Sequence, residues 1–402
     1  MAESRSPNPA RSWTRIDGVD CLRALAIFYV LFNHIGLQLI FAHIPFRQHL
    51  PGLLVTDLIW QGQRGVQIFF AVSGFLITST SLRRWGDLSR VRIRDFYLIR
   101  FARIAPLFIG LLAVLSLFHL AGVAHFVVSS RVGGLGQALI AALTLRVGLF
   151  EARNGYFPGS WDILWSLSVE ELFYLFFPLA SRWLGRGKLF VALLAGLVVL
   201  GPFARTVLAH GNPVWREYSY FGSMDAIALG CLTALLVSGR TFTRALQRML
   251  AVCGLALLSL CLVFDPVASW MRLEKFGLDM TVVAVGACLV IAAAASSGWQ
   301  IPRPFRGFLI FGRRSYEIYL THMFVVIACF GVYGKLGRPL SLTAPLFLII
   351  IALAGGFGEL VARIYSEPAN RTLRSRFGDS PLKLGSVIER ESHPIQEIHD
   401  HV

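Results

Sequence analysis

The sequence predicts an all-α, polytopic membrane protein of about ten spans with both termini cytoplasmic, and three observations predict it. First, the 402 residues are 55% apolar and only 15% charged, with a mean hydropathy of +0.62. A soluble domain carries about 25% charged residues, so this chain has too little polar surface to wrap a globule of its size. Second, apolar runs recur along nearly the whole length, most of them near the ~17–25 residues that cross a bilayer. Third, the basic residues alternate in density from one connection to the next.

Taken in order, the runs are 20–41, 58–82, 101–121, 162–183, 189–208, 222–237, 251–264, 280–295, 307–332 and 345–365. The stretch 133–150 is also apolar, but it is Gly-rich and interrupted by Arg146. It reads as a re-entrant or interfacial helix, not an eleventh span. With ten spans, 26 of the 38 Lys and Arg fall on the side of the N-terminus and 9 on the other, while Arg23, Arg64 and Arg205 lie within spans. An excess of Lys and Arg marks cytoplasmic loops, and an eleventh span would invert everything downstream of it. Both termini of the multi-pass chain are therefore expected on the cytoplasmic side.

The net charge of +15 follows from this placement, because anionic headgroups favour basic loop ends; no nucleic-acid partner is implied. Seven arginines between residues 83 and 103 exceed what orientation needs, which makes a cytosolic polyanion a second reading of that segment. The six cysteines lie in apolar segments without a CxxC pair and read as small hydrophobes. The first apolar run lacks a cleavage signature and is expected to stay as a span. Residues 1–16 form a cytoplasmic segment and 369–402 a polar, disordered tail. His399 and His401 at its end are too weak a pair for a metal site, and no metal is expected.

Ionisable residues within spans are costly and mark functional positions. Arg23 and His34 are eleven residues apart in the first span. At 3.6 residues per turn they share one helix face, separated by about 16 Å of rise. A guanidinium suits phosphate and an imidazole suits proton transfer; the bland alternative has Arg23 reaching headgroups and His34 bonded to a neighbouring helix. A second constellation opens the fourth span, where 165–174 read WSLSVEELFY. Ser166, Glu170 and Tyr174 share a face at i, i+4, i+8, Glu171 points about 100° away, and Ser168 lies between. Glu170 is then placed to orient His34, or to form a structural ion pair with Arg64 or Arg23.

Weaker signals complete the set. Ser73 and Gly74 in FFAVSGFLI at 69–77 permit close helix approach. Arg100 and Arg103 stand at i, i+3 on the inner edge of the third span, with Pro106 early in that helix. Tyr319 and His322 fall in SYEIYLTH at 315–322, and Glu367 in YSEP at 365–368. A lone intramembrane histidine such as His322 reads first as a satisfied core residue. Asp225, Asp279 and Glu359 have no role that spacing assigns.

In this order the blocks resemble the acyltransferase-3 family of membrane acyltransferases: R-x10-H at Arg23 and His34, FFxxSGFLI, RxxRIxP, WSLSVEExFY, SYxxYLxH and YxxEP. The resemblance runs from about residue 17 to 368, which makes 17–368 the transmembrane acyltransferase domain. It implies transfer of an acyl group, often acetyl, from cytoplasmic acyl-CoA to a hydroxyl acceptor, commonly a cell-surface or exported carbohydrate. By the same resemblance His34 is the catalytic histidine, Arg23 its partner, Arg100 and Arg103 the cytoplasmic pair, and Glu170 the acid of its block. Acyl-CoA, such as acetyl-CoA, enters as donor substrate and no tightly bound cofactor is implied. Leu172, where relatives often carry Gln, and Ser223, where many carry Arg, depart from the pattern at positions that bear on acceptor choice. Some relatives carry a further C-terminal hydrolase domain, for which the segment after Pro368 is too short. The competing reading is a proton-coupled transporter or flippase using Arg23, His34 and Glu170; it predicts inverted repeats and broken helices, and neither is evident in the sequence.

Overall fold

The computed structural model describes residues 16–46, 58–185 and 187–376. Among the described residues there is no strand. Ten helices are long and apolar enough to cross a membrane, in the number and order of the apolar runs. The principal helices are α1 (Asp17–Phe41), α2 (Gly62–Trp85), α3 (Ile93–Leu120), α4 (Gly134–Leu143), α5 (Val147–Asn154), α6 (Leu164–Leu184), α7 (Lys188–Phe203), α8 (Tyr220–Val237), α9 (Arg244–Leu262), α10 (Asp279–Ser297), α11 (Ser315–Lys335), α12 (Thr343–Val361) and α13 (Glu367–Arg376). Leu117, Val199, Leu255 and Leu348 present large apolar side chains outward, as lipid-facing positions must. Phe70, Phe75, Ile27 and Leu31 are fully buried between helices.

The closest packing is α2 against α8, and glycine makes it so. A Cβ on Gly74 would meet the Ile227 carbonyl oxygen at 1.9 Å, and one on Gly230 would meet the Ala71 carbonyl oxygen at 2.0 Å. Each helix leaves a notch for the other's backbone, the small-residue device of membrane helix pairs. Overpacking costs about 1–3 kcal/mol where side chains can yield, and a backbone carbonyl cannot turn aside. Gly74→Ala is therefore expected to lower the melting temperature of the detergent-purified protein. Gly196→Ala on α7, where a Cβ meets nothing within 4 Å, should leave it unchanged or raise it. Equal melting of the two variants would show that α2 and α8 are not this close.

Several boundaries differ from the sequence expectation for identifiable reasons. Helix α3 begins at Ile93, well before residue 101, because Arg94 and Asp95 continue the helix where hydropathy has already fallen. Pro106 consequently lies deep inside the helix. The surrounding turn is braced by hydroxyls from neighbours, Tyr316 donating to the Ile104 carbonyl and Tyr365 to that of Pro106, each at 3.0 Å. Neither acceptor is the carbonyl that the missing proline N–H leaves free, which is that of Ala102 four residues back. The 133–150 stretch is two short helices, α4 and α5, joined through Leu145 at φ +57°; neither reaches the length of a span. The span expected at 307–332 is broken at Arg314, a short helix Phe308–Arg313 preceding α11. Residues 369–376, expected in a disordered tail, belong to α13, which packs beneath α3. Residues 1–15 and the tail from 377 on, with His399 and His401, lie outside the described residues.

The helices alternate in direction, so the start of α1, the end of α2, the start of α3, the start of α11 and all of α13 gather at one end of the bundle. That end is here called the basic face.

Arg205 and Asp225, which spacing left without roles, form a buried pair near the opposite end. Arg205 sits in a π-helical turn, Ala204–Leu208, that follows Pro202 and turns its guanidinium inward. Its Nη2 donates to Asp225 Oδ2 at 2.8 Å, and Gln67 Nε2 and Thr281 Oγ1 donate to the same carboxylate at 2.9 and 2.6 Å. The Arg205 Nε donates to the Gly277 carbonyl, Nη1 to the Gly222 carbonyl and to Asp225 Oδ1, and Nη2 also to Thr281 Oγ1.

Candidate active site

At the basic face a cavity of about 620 Å³ opens between α1, α2, α3, α6, α11 and α13. Its walls follow from the helical spacings. Arg23, nearly two turns into α1, donates through Nε to Ser315 Oγ at 3.1 Å and has Asp20 at 3.9 Å. Arg100 and Arg103 reach in from α3. The Arg100 guanidinium lies 3.6 Å above the centre of the Tyr174 ring, and that of Arg103 lies 5.9 Å from the Tyr316 ring. Both are cation–π distances. Neither arginine forms an ion pair among the described residues, and Arg100 Nε is buried without a partner. Guanidinium groups held by aromatic faces keep their forked N–H edges for a ligand, and that edge matches phosphate. Glu170, on the same wall, accepts from Ser73 Oγ at 2.9 Å.

The cavity lining extends to a hydrogen-bonded pair, Ser166 Oγ and Tyr319 Oη, 2.6 Å apart. The Tyr319 hydroxyl also donates to the Ile163 carbonyl at 3.0 Å, and Phe69 packs edge-on against its ring. One turn further along α11 stands His322, fully buried. Its Nδ1 is 2.7 Å from the Tyr319 carbonyl oxygen. A carbonyl only accepts, so Nδ1 carries the hydrogen and Nε2 is the acceptor nitrogen of the neutral ring. That Nε2 is buried with no partner. The ring of His34 is centred 5.0 Å from that of His322, and Asn33 beside it anchors α1 by donating to the Ile59 carbonyl at 2.6 Å. Two imidazoles thus lie next to each other just beyond Tyr319, that of His322 fully buried and that of His34 half-buried.

The structure gathers Arg23, Ser73, Arg100, Arg103, Ser166, Glu170, Tyr174, Tyr319 and Glu367 around one cavity. Ser168 and Glu171 line a separate apolar groove on the other side of α6, between α3 and α4, as the 100° rotation of Glu171 requires. Two pairings expected from spacing do not form. Glu170 makes no hydrogen bond to His34 among the described residues; its bond is to Ser73, and the neighbour of His34 is His322. Arg64 is not the partner of either glutamate of the block, since it donates to the Cys261 carbonyl and lies 3.6 Å from Glu274. Arg83 and Arg84, part of the arginine-rich segment whose second reading is a polyanion site, line the cavity too, as do Arg313, Arg314, Asn370 and Arg374, which the sequence does not single out. For Arg83 and Arg84 the signal was present in the excess of arginines near residue 83. Glu367 and Glu359 hold Arg314, which fixes α13 to the break before α11.

Ten helices of membrane-crossing length, with an arginine-walled cavity at one face and an imidazole pair beyond it, define a class: the polytopic integral membrane proteins. Comparison supplies the family. Residues 16–358 match the model of the acyltransferase domain of acyltransferase-3 type, and the chain belongs to that family of acyltransferases. Among curated proteins it is similar to the O-acetyltransferase OatA of Staphylococcus aureus strain NCTC 8325 / PS 47, 23% identical over 391 residues, covering 92% of this chain and 60% of the relative. OatA of strain MRSA252 is likewise 23% identical over 389 residues, covering 92% of this chain and 59% of the relative. The chain thus spans about 60% of the length of the curated relatives it matches. No solved structure matches it.

Proposed function

We propose that this protein is a membrane O-acyltransferase that moves an acyl group, acetyl in the simplest case, from acyl-CoA to a hydroxyl of a cell-surface or exported carbohydrate. The observation that carries the reading is the order of groups along one path: unpaired guanidinium edges, a tyrosine–serine hydroxyl pair, then two adjacent imidazoles. On this reading the basic face is cytoplasmic and the membrane is the inner membrane of a bacterium. The nucleotide end of the donor rests against Arg100 and Arg103, and its pantetheine arm points along α1 and α11 towards Tyr319. His34 takes the proton of the acceptor hydroxyl as the oxygen attacks the thioester carbonyl. The C–S bond breaks, the acyl group passes to the acceptor, and the CoA thiolate leaves and is reprotonated. His322 supports the developing imidazolium through its unpartnered Nε2, the part that spacing alone had given to Glu170. The O-acetyltransferase names of the relatives and the family membership support acyl transfer to oxygen.

The test is thiol release from acetyl-CoA by purified protein in nanodiscs, with and without an oligosaccharide acceptor. Acceptor-stimulated release is the expected result, and no release from acetyl- or longer acyl-CoA overturns the reading. In the same assay Arg100→Ala and Arg103→Ala should chiefly raise the KM for acetyl-CoA. The rise should become smaller in relative terms as salt screens the wild-type contacts. Lysine should restore the loss only in part, because an ammonium cannot reproduce the fork. Variants that lose kcat with an unchanged KM would place the donor elsewhere. Orientation is tested by single cysteines in intact cells: Arg90→Cys should resist an impermeant thiol reagent and Gly211→Cys should react. The reverse pattern would put the cavity on the wrong side for cytoplasmic acyl-CoA.

A further inference from the structure

Helix α13 lies beyond residue 358, where the family match ends, yet it forms part of the cavity wall. Asn370 and Arg374 both line the cavity. They are four residues apart, so they stand on one face of the helix about 6 Å apart in rise, while Arg371 and Arg376 are exposed on others. The helix is fixed in place by ion pairs. Glu367 holds Arg314, and Arg371 lies 3.5 Å from Glu367. Ser366, just before it, donates to Glu317 Oε1 at 2.9 Å. A polar helix with no apolar face to bury is thus anchored at its first turn, and its next two turns aim an amide and a guanidinium at the cavity. The amide is not satisfied: Asn370 Oδ1 is buried without a hydrogen-bond partner. An unsatisfied buried acceptor is costly, and a donor group on a ligand would remove that cost.

We infer that the Asn370–Arg374 face of α13 is the subsite for the adenosine 3′-phosphate end of the acyl donor, an inference that rests on the reading of the donor as acyl-CoA. A carboxamide pairs with the edge of adenine, its oxygen accepting from the exocyclic amine and its nitrogen donating to a ring nitrogen. A guanidinium four residues on meets a phosphate in the charge-assisted geometry that makes such pairs strong. The position also fits. Arg100 and Arg103 lie on α3, directly above the helix, which leaves them the diphosphate while α13 takes the nucleoside at the mouth.

The experiment compares acetyl-CoA with acetyl-pantetheine, which lacks the nucleotide, as donors for the full chain in nanodiscs. The wild type should prefer acetyl-CoA in kcat/KM, and Asn370→Ala or Arg374→Ala should shrink that preference about ten-fold, the equivalent of about 1.4 kcal/mol. Arg374→Lys should recover part of it. A variant that weakens both donors equally shows a merely structural helix, and one that weakens neither shows that α13 does not touch the donor; either overturns the inference. Binding of adenosine 3′,5′-bisphosphate is measured in parallel by calorimetry. If the wild type turns over no acetyl donor, the acyl-transfer reading falls, whereas the subsite stands if the bisphosphate binds and Arg374→Ala weakens it about ten-fold. Absence of bisphosphate binding to the wild type overturns the subsite itself.

Discussion

His34→Ala is expected to lower acceptor-stimulated acetyl transfer by about 10²–10⁴-fold, the range over which a positioned general base acts, with the KM for acetyl-CoA little changed. On the proposed reading the donor's charged end is held at the basic face, far from the substituted ring, so removing the imidazole would remove chemistry and leave donor binding. His322→Ala is expected to fall in the same way, and the double variant to be little worse than either single one. Groups that act as a unit are non-additive, whereas two independent contributions would multiply. Melting temperature and chromatographic profile separate this from misfolding. His322→Asn adds a discriminating readout, because its amide can still donate to the Tyr319 carbonyl but cannot take up a proton. If His322→Asn kept wild-type turnover while His322→Ala lost it, His322 would serve packing alone. If His34→Ala retained more than a tenth of wild-type kcat, the assignment of the base would be wrong.

The largest effect on stability is expected at the buried ion pair. Asp225 is fully buried and Arg205 nearly so, and the carboxylate accepts from Arg205, Gln67 and Thr281 together. Asp225→Ala strands a guanidinium in the bundle interior, a change that costs about 3–5 kcal/mol. Loss of folded protein or a steep fall in melting temperature should follow. Replacing both partners, Arg205→Met with Asp225→Leu, should recover much of the loss, since a matched apolar pair has no charge to desolvate. A double variant as unstable as Asp225→Ala would mean that the pair holds its helices by the geometry of its hydrogen bonds to Gln67 and Thr281.

The ten spans were legible because each must be apolar over its whole crossing length, a property of consecutive residues. Which residues share a face was legible for the same local reason: Ser166, Glu170 and Tyr174 do fall on one wall, and Glu171 on another. What spacing does not carry is the identity of the helix opposite. Glu170 was matched with His34 because both looked out of place in lipid, yet α6 presents Glu170 to Ser73 on α2, and α11 brings His322 to His34. Arg205 and Asp225 are only twenty residues apart in the chain, but they meet only because a π-helical turn after Pro202 swings Arg205 inward. The early start of α3 escaped notice for a different reason: hydropathy ends at the membrane surface and helical hydrogen bonding does not.

The hydroxyl pair in the cavity lining has an electrical consequence. An inlet lined by Arg100, Arg103, Glu170 and Asp20 is polar enough to admit water and counter-ions, and a conducting inlet would carry the potential of the side on which it opens. The voltage across the membrane then falls over the layer that begins at Ser166 and Tyr319, which is thinner than the bilayer. A unit charge crossing the full potential exchanges about 2.3 kcal/mol per 100 mV. A proton that leaves the imidazole pair towards the cavity samples a large part of that drop within a few side chains. On the proposed mechanism, turnover in polarised vesicles is therefore expected to differ from turnover in detergent.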